Sequence, residues 1–116
     1  MTDAGLAHLR GLLSLQRIAL AATAVGNAGL AHLQKLPSLE WLYLGGTRIS
    51  YEGLASLQGM ANLRWIYLPG TALTDAALPH LARLTDLKEL DLKNTWISKA
   101  GIAHLRERLP NCSILF

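Results

Sequence analysis

The chain is poor in the features that mark several large protein classes. It has one cysteine, Cys112, so neither an intramolecular disulfide nor a cysteine metal cluster is available to it. Charged residues make up only 16% against 51% hydrophobic, a balance that excludes intrinsic disorder. The longest apolar stretch, around Ile18 to Val25, is about eight residues, where a membrane span needs ~20. The start, Met-Thr-Asp-Ala-Gly, lacks the basic and apolar regions of a secretory signal, so the expected compartment is cytoplasmic, with export of a longer parent left open. A net charge of +3 permits acidic partners without forming a dedicated basic surface. With 116 residues the expectation is one domain, 1–116. Aromatics are scarce too, at 6%, which makes their placement informative.

Leucine and alanine recur with a period. Gly5-Leu6-Ala7-His8-Leu9 returns 24 residues later as Gly29-Leu30-Ala31-His32-Leu33. Gly53-Leu54-Ala55-Ser56-Leu57, Ala77-Leu78-Pro79-His80-Leu81 and Gly101-Ile102-Ala103-His104-Leu105 keep the same interval. Between them run Leu15–Leu20, Leu39–Leu44, Leu63–Leu68 and Leu87–Leu92, each followed by Thr23, Thr47, Thr71 or Thr95. That gives four full units and a partial fifth, with one extra residue near Arg106–Arg108. Within a unit, Leu6, Leu9 and Leu12 lie three apart and suit a short helix, whereas Ile18 and Leu20 lie two apart and suit a strand. Thr2, Ser50, Thr74 and Ser98 stand at N-cap positions, and Asp3 and Asp75 add charge favourable to a first helical turn. Gly26 departs from this, so the second helix is expected to start less firmly. Gly45-Gly46 and Pro69-Gly70 end their strands with turn residues. One such unit cannot bury a core alone, but a stack of them can.

The pattern L-x-x-L-x-L-x-x-T-x-[VIL], with T-D-A-G-L-A-H-L after it, resembles the leucine-rich repeat family and its short tandem repeats in bacterial proteins. The resemblance covers essentially the whole chain. It implies an α/β solenoid with a parallel sheet on the concave face and short helices on the convex side. The family's usual Asn or Cys after the strand is Thr here, so a ladder of threonine hydroxyls is expected in place of asparagine amides. Terminal repeats normally carry polar caps. This chain begins directly on a repeat helix, which suggests that an N-terminal part of a longer protein is missing or that an oligomer covers that end. Leu109-Pro110-Asn111-Cys112 looks like a natural family ending.

In Trp41-Leu42-Tyr43-Leu44 the leucines alternate inward, sending Trp41 and Tyr43 to the concave face. Trp65 and Tyr67 repeat this one strand over. Arg17 and Ala19 hold the same positions in the first unit, Glu89 and Asp91 in the fourth. Arg64 and Glu40 are expected beside the block, Lys88 and Lys93 beyond it. An aromatic platform between a basic and an acidic edge is what a protein-binding hot spot looks like, so Trp41, Tyr43, Trp65, Tyr67, Arg17, Arg64, Glu89 and Asp91 are the candidate partner-binding residues. The plainer explanation is that Trp and Tyr favour strands and stack across them. The same rings also suit a sugar or a nucleic-acid base, although Glu40, Glu89 and Asp91 would repel phosphates.

Other constellations have structural explanations. His8, His32, His80 and His104 share one convex repeat position, and neighbouring helices stand too far apart for one zinc to collect them. Cys112 with His104 has the composition of a nucleophile and base, but Cys112 falls where Leu39, Leu63 and Leu87 stand, a core position. Glu89 and Asp91 lack a desolvating pocket that would separate their pKa values. No phosphate loop, dinucleotide fingerprint or nucleophile elbow is present. The expectation is therefore a non-enzymatic protein with no cofactor and no metal, binding a protein partner, with homo-oligomerisation through its ends as the alternative. Trp96, on the loop leaving the sheet, either extends a binding edge or covers the helix start at Ser98.

Overall fold

The computed structural model describes residues 2–9 and 11–116. Its five short strands are β1 (Arg17–Ala19), β2 (Trp41–Tyr43), β3 (Trp65–Tyr67), β4 (Glu89–Asp91) and β5 (Ser113–Leu115). They form one parallel sheet in sequence order. The sheet lines the concave side of a solenoid of stacked units, and helical segments cover the other side. These are α1 (Asp3–Leu6), α2 (Asn27–Leu33), α3 (Tyr51–Leu54), α4 (Leu78–Leu81) and α5 (Lys99–Arg108), with single 3-10 stretches beside α1, α3 and α4. The extra residue near Arg106 is taken up in α5, which runs ten residues where the others run four to seven. No helix among the described residues is long and apolar enough to cross a membrane.

The 24-residue period fixes the register. Ile18, Leu42, Ile66, Leu90 and Ile114 are aligned across the sheet and point inward. They meet Leu30, Leu33, Leu54, Leu57, Leu81, Ile102 and Leu105 from the helices in one continuous core. Ile18 is only half-buried, because among the described residues no strand lies outside β1.

The threonines do not form the expected ladder. The hydroxyls of Thr23, Thr47, Thr71 and Thr95 each donate to the carbonyl three residues back, at 2.6–2.8 Å, within their own unit. A hydroxyl carries one proton, and the nearest carbonyl takes it. Backbone bonds such as Leu20 N–H to Tyr43 O and Gly46 N–H to Pro69 O join the units instead. Each turn contains a left-handed residue: Gly46 and Gly70 at φ +68°, but Ala22 at +52° and Asn94 at +58°.

A second joint, absent from the sequence reading, sits at the helix starts. Asp3 Oδ1 accepts from Gly26 N–H at 2.8 Å, Asn27 Oδ1 from Ser50 N–H at 3.0 Å, and Asp75 Oδ1 from Ser98 N–H at 2.8 Å. Each acceptor lies against a glycine of the next unit. A Cβ added to Gly29 would stand 2.5 Å from Asp3 Oδ1, and one on Gly101 would stand 2.8 Å from Asp75 Oδ1. Gly53 meets Asn27 in the same way. Tyr51 occupies this position in the third unit and its ring stacks on His80 instead, and there the following residue is Ala77, fully buried. This joint also bears on the caps. Gly26 supplies no side-chain cap to α2, as expected, although Asp3 holds the Gly26 N–H. Ser50 makes no cap bond, because its hydroxyl accepts from Asn27 Nδ2 at 2.8 Å. Thr2, Thr74 and Ser98 cap as expected.

Candidate functional site

Strand alternation sends the first and third residues of each strand to the concave face. Register then aligns Arg17, Trp41, Trp65, Glu89 and Ser113 in one row, and Ala19, Tyr43, Tyr67, Asp91 and Leu115 in the next. Trp41, Tyr43 and Tyr67 form a closed cluster, with ring centroids 5.5 Å apart for Trp41–Tyr67, 6.0 Å for Tyr43–Tyr67 and 6.2 Å for Trp41–Tyr43. Such separations are those of favourable aromatic pairs. Gly45 makes room for the cluster, since a Cβ there would lie 2.9 Å from the Tyr43 ring and 3.0 Å from Pro69. Trp65 stands apart from the three rings, with Lys88 Nζ 5.3 Å from its ring centroid. All four aromatics remain partly exposed.

Between Trp41 and Trp65 opens a depression of about 490 Å³ lined by Gln16, Arg17, Glu40, Trp41, Trp65 and Tyr67. Arg17 Cζ lies 5.0 Å from the centroid of the Trp41 ring, a cation–π geometry on the basic edge. Glu89 borders Tyr67 on the other side. The Tyr67 phenol is pushed above its ordinary value, first by burial and then by hydrogen bonding with Glu89 and the charge of that carboxylate. The phenol is therefore held neutral as a hydrogen-bond donor.

Two of the eight expected residues are turned to local work. Arg64 Nη1 donates to Ala61 O and Leu63 O, both at 3.0 Å, so it braces the loop before β3 and Lys88 covers Trp65 in its place. Asp91 lies in the concave row but is only 8% exposed, with Oδ1 accepting from Lys93 N–H at 3.0 Å. The structure thus brings together Trp41, Tyr43, Tyr67 and Arg17, places Trp65 and Glu89 at the rim, and draws Arg64 and Asp91 into the scaffold. Lys88, which the repeat pattern sets beyond the block, contributes instead. It precedes its strand as Arg64 does, and only side-chain conformation separates their roles.

Elsewhere, Cys112 packs half-buried against the core, and burial, aided by the charge of Glu89, pushes its thiol up to about 11. Trp96 is 77% exposed, so it does not cover the helix start at Ser98. Among the described residues no three His, Cys, Asp or Glu side chains are grouped to hold a metal ion.

No family model and no curated protein matches the chain by sequence. Solved structures do match. An internalin C2 from Listeria monocytogenes aligns at 26% identity and a TM-score of 0.70, over 93% of this chain and 44% of its own. A leucine-rich repeat protein of Leptospira interrogans aligns at 22% identity and a TM-score of 0.66, over 95% of this chain and 33% of its own. The actin-binding site 2 of leiomodin-1 aligns at 13% identity and a TM-score of 0.73, over 98% of this chain and 79% of its own. The chain thus spans a third to under half of the two bacterial proteins.

Proposed function

The chain is a leucine-rich repeat protein, and from that premise we propose that it is a non-catalytic protein-interaction module whose partner seats on the concave aromatic face. The observation that carries the reading is the ring cluster of Trp41, Tyr43 and Tyr67 beside an open depression that Trp65 and Arg17 also line. The core is already filled by leucine and isoleucine, so these rings are not needed inside. Tryptophan, tyrosine and arginine are the residue types that dominate binding energy at protein interfaces. Arg17 on one side and Glu89 on the other supply charges of opposite sign, which orient a partner more than they tighten it.

The experiment is quantitative affinity capture with wild type and a W41A/W65A variant as parallel baits, followed by calorimetry on whatever the wild type retains. Both side chains are partly exposed, so the variant keeps its core. Truncating hot-spot rings should weaken binding by ~2 kcal/mol or more, about thirtyfold. A partner bound equally by both proteins would remove the concave face from the account.

The first-unit end supports a second reading, self-association. Leu12 and Leu13 are 49% and 59% exposed there. The opposite end is different: Lys99 stands where the internal joints use Asp or Asn, and Arg106 covers Phe116 at 4.4 Å. That end lacks the side-chain acceptor of the internal joints, which favours contact between copies through their first units. Light scattering behind a sizing column, with L12E/L13E as control, separates this from partner binding: a dimer that survives the control refutes the second reading.

A further inference from the structure

The convex side carries a surface that the concave-face reading does not use. An open depression of about 560 Å³ lies between the fourth unit's helical segment and α5. Leu78, Pro79 and Ala82 give it an apolar floor, and Arg83, His104 and Arg108 line it as well. The two α5 residues are four apart and so share a helix face. All three polar side chains are exposed. Neither Arg83 nor Arg108 forms an ion pair among the described residues, although Asp86 and Glu107 are close in sequence. Asp75 borders the depression, but both its oxygens are engaged, Oδ1 by Ser98 N–H at 2.8 Å and Oδ2 by the Ser98 hydroxyl at 2.7 Å.

We propose that this convex depression docks an acidic peptide segment of a partner protein, with an aliphatic side chain on Leu78, Pro79 and Ala82 and carboxylates on Arg83 and Arg108. Two guanidinium groups without internal counter-ions beside an apolar floor call for a ligand that supplies both anions and aliphatic surface. Guanidinium forks pair with carboxylates through two parallel hydrogen bonds. A nucleic acid fits less well: no Trp, Tyr or Phe lines the depression to stack a base, and the apolar floor of Leu78, Pro79 and Ala82 offers nothing to a sugar-phosphate chain. The site stands independently of the concave face.

The test is an NMR titration of ¹⁵N-labelled protein with two synthetic peptides, Gly-Glu-Leu-Leu-Glu-Gly and its counterpart with Gln for Glu. The acidic peptide should shift amides in 75–83 and 99–108, and the Gln peptide should bind at least about tenfold more weakly. An R83A/R108A variant, altered only at exposed positions, should also lose about tenfold or more, while W41A/W65A should bind as wild type does. Raising the salt concentration should weaken the complex. Absence of shifts at millimolar peptide, equal binding of the Gln peptide, shifts confined to the concave strands, or tighter binding of a single-stranded oligonucleotide at the same residues would each overturn the proposal.

Discussion

The side-chain joint between units can be installed where the chain lacks it. Three of four joints pair an Asp or Asn at the first helical position with a glycine in the next unit, and the third-to-fourth joint has Tyr51 and Ala77 instead. In Y51D alone, the carboxylate is blocked by the Ala77 methyl, just as a Cβ on Gly29 would stand 2.5 Å from Asp3 Oδ1. The ring stack on His80 is also lost, for a total near 0.5 kcal/mol. A77G alone should lose about 2 kcal/mol, from helical propensity and the buried methyl. Together, the new carboxylate reaches the Thr74 N–H. A solvent-accessible charge-assisted bond contributes about 1 kcal/mol, so the double variant should lie that much above the sum of the singles. Urea denaturation read by circular dichroism measures the cycle. Additivity within ~0.3 kcal/mol would refute the reasoning, since contacting residues must couple if the joint forms. Acid supplies a second arm. Asp75 is held below its ordinary 3.8 by the Ser98 backbone bond and then the Ser98 hydroxyl. A depressed carboxylate stabilises above its unfolded value and loses that contribution as pH falls through the folded one, so D75N should flatten the loss below about pH 4.

Three further outcomes follow from the geometry. Ala22→Gly should stabilise the fold by about 0.5–1 kcal/mol and Gly70→Ala should destabilise it by about 1 kcal/mol, because both positions hold left-handed φ; equal melting temperatures for the two variants would contradict this. Tyr67 is favoured neutral, so its stabilisation is complete below pH 10 and lost as pH rises through its higher folded value. An ultraviolet titration should therefore show a late tyrosinate component that Y67F removes, and its persistence in Y67F would assign it elsewhere. The Cys112 thiol, at about 11 against an ordinary 9.0, should carry roughly a hundredfold less thiolate near pH 8 than in urea. Equal rates of reaction with a disulfide reagent in both states would contradict its burial.

The fold was legible because leucine spacing changes from three to two inside every 24-residue unit, and that alone places Leu42 and Leu30 in one core. The aromatic rows were legible for the same reason, since strand period and repeat register together put Trp41 beside Trp65. The joint was not. Asp3 and Asp75 were read as charges on a local helix dipole, whereas they accept from backbone 23 residues away. A signal existed in the sequence: glycine at 29, 53 and 101 follows Asp or Asn at 3, 27 and 75, and alanine at 77 follows Tyr51. The roles of Arg64 and Lys88 were beyond sequence, because two long cations at equivalent positions chose different conformations. Burial of Asp91 likewise depends on how its own loop folds back to present the Lys93 N–H.

The central claim, that a protein partner covers the concave rings, is tested most directly by hydroxyl-radical footprinting of the protein alone and in complex with a captured partner. Tryptophan and tyrosine report their own accessibility, and Tyr51, 42% exposed on α3 of the helical side, serves as an internal reference. The account predicts loss of oxidation at Trp41, Trp65 and Tyr67 in the complex with Tyr51 unchanged. Protection of Tyr51 with the strand aromatics still oxidised would place the partner elsewhere and contradict it.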